Sequence, residues 1–389
     1  MIKFILNTMV NMMLDISVAF GMCHYMLPSQ VASIPVIERV NVRTGWVQDV
    51  NKAVSNRQIE VYPANTHPGI FYIPANLQPG DRVLLDPANA IKMQVTSYKG
   101  EGVSPEKKPT TLETTTDLWV PFVAFRDKSQ EKWFGLMPAQ NVAALQRDQG
   151  RRDLSVDELL AYRGGKGLTL LYIVCPKDRN TIATLRIKHD GEWVRGEDGE
   201  IIAFKVLVRS RREQKRPEEM SNRLVPSNDT PQGIYGLWGT MLSSDPLFAG
   251  VPRIDLDMFM PPINGYPYEF FAYVLQQILP ESAWQDGWVH ELPLAYAMGR
   301  SAMRIHDNSR AAHTVSFYQE PETGRWFHPT AGCVNMGESM EKLLALLIDL
   351  GVLDGQYDKR MLTHVSGLPT SWNVAKSVGR AFVIVKDLE

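Results

Sequence analysis

From Val40 to Gln146 the apolar residues come in short bursts, rich in β-branched and aromatic side chains, with Pro, Gly and Asn between them. "IEVYPA", "GIFYIPA", "RVLLDPA", "IKMQVTSY", "DLWVPFVAF" and "KWFGLMP" each have the length and composition of a strand. The pattern predicts a small N-terminal β domain over 40–150, with a barrel as one arrangement. It carries no nucleophile or metal pattern. Pro-Ala-Asn recurs at 63, 74 and 87. That echo is repeated turn chemistry, far shorter than a solenoid unit.

The pattern changes at "SVDELLAYRG". Ser155 is a candidate helix N-cap with Glu158 three places on, the spacing of a capping box. The Gly-rich tail that follows reads as a hinge, which sets a domain boundary near 150–167. A second domain is expected over 151–389. "LTLLYIVCP", "TIATLRIKHDGEWV" and "IIAFKVLVRS" read as strands with hairpin-like turns, and "NDTPQGIYGLWGTM" as a turn followed by an aromatic-rich strand. Around 262–300 a segment rich in Trp, Tyr and Phe, with helical character over Tyr268–Leu279, reads as a helical insertion. Its aromatics fit packing on a sheet better than walling a groove. "AMRIHDN" is a short strand, and "HTVSFYQEPETGRWFHPT" a hairpin around Glu-Pro-Glu-Thr-Gly. Met340, Leu343, Leu344 and Leu347 fall at i, i+3, i+4 and i+7, which predicts a helix ending near Gly351.

The remaining features narrow the picture. Residues 1–33 have an early Lys3, a largely apolar stretch and small residues before Ser33, the outline of an export signal cleaved near there. The alternative is an N-terminal helix packed on the body. Asp15 interrupts the stretch too early for a membrane span, and no other run is long enough, so no integral span is expected. The net charge of −2 gives no general attraction to nucleic acid or to an acidic membrane. The one basic run, "VRSRREQKR" from Val208 to Arg216, reads as a solvated loop. The three cysteines, Cys23, Cys175 and Cys333, lie far apart, so neither a disulfide framework nor a zinc site is legible. Cys175, inside an apolar strand, reads as a core thiol.

Cys333 is different. It lies in "HPTAGCVNMG", between the hairpin and the predicted helix, and His290, His306, His313 and His328 all precede it within 43 residues. A thiolate is the reactive form, and a nearby imidazole or helix N-terminus favours it. Backbone N–H groups at Gly332 and Cys333 could receive an oxyanion. The residues alone leave a nucleophile and a structural thiol both open. His306, His313 and His328 match no zinc spacing.

A set of motifs sharpens this. "TPQGIYGLWG", "MRIHDN" and "TAGCVNM" followed by a helix together resemble the L,D-transpeptidase (YkuD-like) catalytic-domain family, over roughly 168–352. The ordered set Thr230-Pro231-x-Gly233 and Thr330-x-Gly332-Cys333-Val334-Asn335 carries the resemblance. The fold it implies is mainly β with α insertions, a β-sandwich catalytic domain beside the N-terminal β domain. The activity it implies is transfer of an acyl group from peptidoglycan stem peptides through a Cys333 thioester, in an exported protein needing no metal or organic cofactor. His306 is the base by local sequence, with His313, 20 residues before Cys333, the alternative. Asp307 or Asn308 would orient it. Arg304, Thr330 and Asn335 are candidate substrate or framework contacts. The chain departs from the family at Ala331, where the family usually has His, and in the 27-residue step from His306 to Cys333. A hydrolytic variant (an L,D-carboxypeptidase or another cysteine amidohydrolase) and a non-catalytic wall-binding protein with a degenerate site are the competing readings.

Overall fold

The computed structural model describes residues 23–40, 58–63, 71–86, 90–99, 110–126, 131–148, 152–179, 181–209, 229–240, 253–258, 274–297, 303–307, 318–319, 326–327, 330, 332–353 and 381–388. The chain is mainly β and divides into two compact units. One is Met1–Arg152 together with Leu294–Gly299, and the other is Asp153–Pro293 together with Arg300–Glu389.

The first unit contains β1 (Cys23–Met26), β2 (Ile34–Val40), β3 (Gln58–Pro63), β4 (Phe71–Leu77), β5 (Arg82–Leu85), β6 (Ile91–Lys99), β7 (Thr110–Arg126), β8 (Glu131–Pro138) and β9 (Gln146–Arg147). The strand-like bursts of the sequence correspond to β3 through β8. β7 is much longer than its apolar half, because the threonine-rich stretch before Asp117 extends it along β6. The pairings β6–β3–β4–β2–β8–β7–β6 close a ring of six strands. Leu27, Val83, Leu85, Val120, Phe122, Ala124 and Met137 share one buried cluster here.

Strands begin earlier in the chain than 40. Within 1–33 the described part, 23–33, holds a strand and a turn and no helix. β1 pairs with both β5 and β9, and Leu27 is fully buried. Cleavage near Ser33 would remove both from this core. Residues 1–22 lie outside the described residues.

The second unit opens with α1 (Val156–Ala161), which carries the complete capping box. The Ser155 hydroxyl accepts from Glu158 N–H, and the Glu158 carboxylate accepts from Ser155 N–H. Its strands are β10 (Thr169–Cys175), β11 (Ala183–His189), β12 (Glu192–Trp193), β13 (Ala203–Val206), β14 (Gly233–Thr240), β15 (Arg253–Met258), β16 (Met303–His306), β17 (Tyr318–Gln319), β18 (Trp326–Phe327), β19 (Val334–Asn335) and β20 (Ala381–Asp387). All these strands except the β17–β18 ribbon pair edge to edge in one mixed sheet, in the order β12-β11-β10-β20-β14-β15-β16-β19, with β13 also on β11. The joint is β20, parallel to β10 on one side and antiparallel to β14 on the other. Its run Ala-Phe-Val-Ile-Val is fully buried, as a central strand covered on both faces requires.

On one face, helical residues 274–278 and α2 (Gly287–Ala297) pack against the sheet. Val274, Ile278, Leu279, Trp288 and Val289 join Leu170, Tyr172, Ile234, Phe382 and Ile384 in a single cluster. The described part of the 262–300 insertion is thus core. Its residues 262–273 and 298–300 lie outside the described residues. The α2 N-terminus is capped from a distance, since the Asp153 carboxylate accepts from Gly287 N–H and the Asp286 carboxylate accepts from Leu154 N–H at 2.7 Å. α3 (Met340–Asp349) buries Met340, Leu343, Leu344 and Leu347, the stripe its spacing predicted.

Lys188 ties α1 to the sheet. Its ammonium donates to the Leu160 and Tyr162 carbonyls at 2.8 and 2.9 Å, and it lies 4.7 Å from the Trp193 ring centre. Burial lowers its pKa, and Glu192 opposes that shift in part.

Candidate active site

The loop carrying Cys333 is held by hydrogen bonds from two distant segments and by bonds of its own. Thr330 N–H donates to the Arg209 carbonyl at 3.0 Å. Inside the loop the Thr330 hydroxyl donates to the Cys333 carbonyl at 2.7 Å and accepts from Gly332 N–H at 3.1 Å. Gly332 has φ +108°, a conformation a side chain would strain. The Thr230 hydroxyl donates to the Gly332 carbonyl at 3.0 Å, with the Val208 carbonyl 3.3 Å away. Thr230 is fully buried, so this donor and acceptor have no water to fall back on.

The rest of "TPQG" braces the start of β14 against α2 and β20. Gln232 offers its backbone and side-chain N–H groups to the two oxygens of Glu291, each at 3.0 Å, and accepts from Asp387 N–H at 2.8 Å. A Cβ on Gly233 would lie 2.7 Å from the Leu292 Cβ, so only glycine lets β14 approach α2 this closely.

His306 ends β16. β16 runs parallel to β19, with Ile305 opposite Val334 and His306 opposite Asn335. Met336 N–H donates to the His306 carbonyl at 2.9 Å and fixes this register. The motif histidine is thus on the strand beside the one that Cys333 leads into. His306 Nδ1 lies 2.6 Å from the Asp307 carbonyl oxygen. A carbonyl only accepts, so Nδ1 is the donor of this bond, and in the neutral form of the ring the lone pair lies on Nε2. That is the tautomer a base needs. His306 and Cys333 are 5% and 7% exposed, so both are sheltered from bulk water. Neither Cys333 nor Cys175 is in a disulfide, and Cys175 is a fully buried strand residue.

Several expected roles change. Gly332 N–H is committed to Thr330, and one N–H donates one good bond, so it is not a donor for an oxyanion. Thr330 spends its hydroxyl within the loop. Asn335 is fully buried, exchanges both backbone bonds with Leu207, and accepts from Gly337 N–H at 2.6 Å through Oδ1. Thr330 and Asn335 are therefore framework residues. Arg304 Nε lies 3.5 Å from Asp255 Oδ1, its partner across β15. Asp307 orients the imidazole through its carbonyl. His313, Asn308, His328 and Ala331 lie outside the described residues.

Val208 and Arg209 open the run that was expected to be a solvated basic loop. Leu207 and Val208 are instead buried, and the segment bonds to Asn335, Thr230 and Thr330 in turn. Arg253 was not singled out from sequence. It is fully buried and directly opposite His306 across β15 and β16. The signal was the strict alternation of Arg253, Asp255 and Asp257 with Ile254, Leu256 and Met258, which gives β15 one polar face.

Among the described residues, no group of three or more His, Cys, Asp and Glu side chains is placed to hold a metal. No described helix is long and apolar enough to cross a membrane. Compared with family models, curated proteins and solved structures, the chain gives no match.

Proposed function

We propose that the second unit is a cysteine acyltransferase of the L,D-transpeptidase kind, acting on peptidoglycan stem peptides in the cell envelope. One observation carries this reading. Three motif pieces far apart in sequence meet: Thr230 holds the Gly332 carbonyl, and the His306 strand pairs with the strand that Cys333 enters. The base-ready tautomer of His306 supports it further.

In the proposed reaction, His306 Nε2 takes the Cys333 proton. The thiolate attacks the carbonyl that joins an L-centre to a D-centre, and the Cys333 N–H is the loop donor proposed for the oxyanion. The C–N bond breaks, His306 returns the proton to the leaving amine, and the acyl group remains as a thioester. The amine of a second stem peptide then displaces the sulfur, completing transpeptidation. Water in its place gives the L,D-carboxypeptidase reaction. The Asp307 carbonyl keeps the imidazole aligned in each step and stabilises its protonated form.

Intact mass after incubation with a carbapenem tests this reading, because such a β-lactam acylates an activated thiolate by the same attack. A single adduct on the parent and none on Cys333→Ala supports it. A folded parent that acquires no adduct, or an adduct that persists in Cys333→Ala, counts against it.

A further inference from the structure

A cavity of about 390 Å³ lies between β13 and α3. Ile202, Phe204 and Lys205 line it from the strand side, and Ser339, Lys342 and Leu346 from the helix side. The last three stand at i, i+3 and i+7, so they form one stripe along the start of α3. Two of the lining residues are lysines and none is acidic. Glu338 and Glu341, the nearest acids in sequence, are exposed and do not line it. The cavity has the size of a small-molecule site, with an apolar wall and a positive lining.

Ser339 is the N-cap of α3, a position where a serine hydroxyl ordinarily accepts from the first-turn N–H groups. Here it makes no capping bond, and its φ of −99° and ψ of 2° depart from the extended backbone of a capping residue. Ser339 is 7% exposed, and among the described residues its hydroxyl has no hydrogen-bond partner. A sheltered hydroxyl left unpaired costs free energy that an oxygen of a ligand recovers. The first-turn N–H groups have no acceptor inside the helix either, and that end of the helix carries partial positive charge. Lys342 brings a full charge within the same turn and has no ion pair among the described residues.

We propose that this cavity is a binding site for a small organic anion: a carboxylate or phosphate held by Lys342, the Ser339 hydroxyl and the start of α3, with its apolar body against Ile202, Phe204 and Leu346. Lys205 adds to the positive field from the opposite wall. Neither Cys333 nor His306 lines the cavity, so the site is separate from theirs. It stands whether or not Cys333 is a nucleophile.

Isothermal titration calorimetry with hexanoate, hexyl phosphate and the neutral hexanamide tests this. The expected result is saturable binding of one or both anions and none of hexanamide at the same concentration, with the tighter anion identifying the head group. Lys342→Met should weaken that anion by about tenfold, the loss of one charged hydrogen bond, and Ser339→Ala by about threefold. Both variants should keep the circular dichroism of the parent, because Lys342 is exposed and the Ser339 side chain makes no capping bond. Cys333→Ala should bind as the parent does, which separates this result from the acyl-transfer reading. Neither anion bound, hexanamide bound as tightly as the anions, or an affinity unmoved in either cavity variant overturns the proposal.

Discussion

The Thr230 hydroxyl donates to the Gly332 carbonyl at 3.0 Å, across 102 positions of sequence. This bond joins the entry to β14 with the loop that precedes Cys333. It makes the "TPQG" stretch a support for the Cys333 loop and not a separate feature.

Thr230→Val keeps the shape of that side chain and removes the donor. It strands a buried carbonyl, which costs about 1–3 kcal/mol. Urea unfolding should show that loss, and Cys333 acylation should slow because the loop is no longer held. Unchanged stability and unchanged acylation would separate Thr230 from the site.

The base assignment is tested by two substitutions. His306→Gln should lower acyl transfer by about 10²–10⁴-fold, the usual contribution of a positioned base, while leaving the fold intact. His313→Gln should leave the rate within a few-fold of the parent. The reverse pattern would move the role to His313.

Gly332→Ala forces a Cβ onto φ +108°. The strain expected is about 1–3 kcal/mol, together with a displaced Cys333. Differential scanning calorimetry should report a lower Tm, and thiol titration an altered reactivity of Cys333. A variant equal to the parent in both would show that the loop tolerates another conformation.

Lys188 gives a pH signature remote from the site. Its folded-state pKa is lowered by burial, so the unfolded chain binds this proton more tightly. Stability should therefore rise as pH climbs from the lowered value toward the ordinary 10.5. Lys188→Met should lose that rise. Identical slopes of urea midpoint against pH in the two proteins would contradict the account.

Local features were legible in the sequence wherever local physics decides them. The Ser155–Glu158 capping box, the apolar stripe of α3 and the strands β3 through β8 follow from capping, periodicity and β-propensity. The β17–β18 pairing of Tyr318 with Phe327 was legible from the Glu-Pro-Glu-Thr-Gly sequence between the two arms. Relations between strands were not legible. β20 is an apolar run far from any motif, and nothing local says that it inserts between β10 and β14. The pairing of Arg253 with His306 is a matter of register, which no local pattern gives. The Gly332 amide was expected to meet an oxyanion, but Thr330 two residues earlier competes for it, which depends on how the loop closes. The burial of Leu207 and Val208 was hidden by the basic residues that follow them.

The most direct test of the central claim is turnover of a stem tetrapeptide ending in a D-residue, followed by release of that residue and by the mass of the enzyme. The account predicts release by the parent, a thioester adduct on Cys333 under single-turnover conditions, and neither in Cys333→Ala. No release by a folded parent, or equal release by Cys333→Ala, would contradict it.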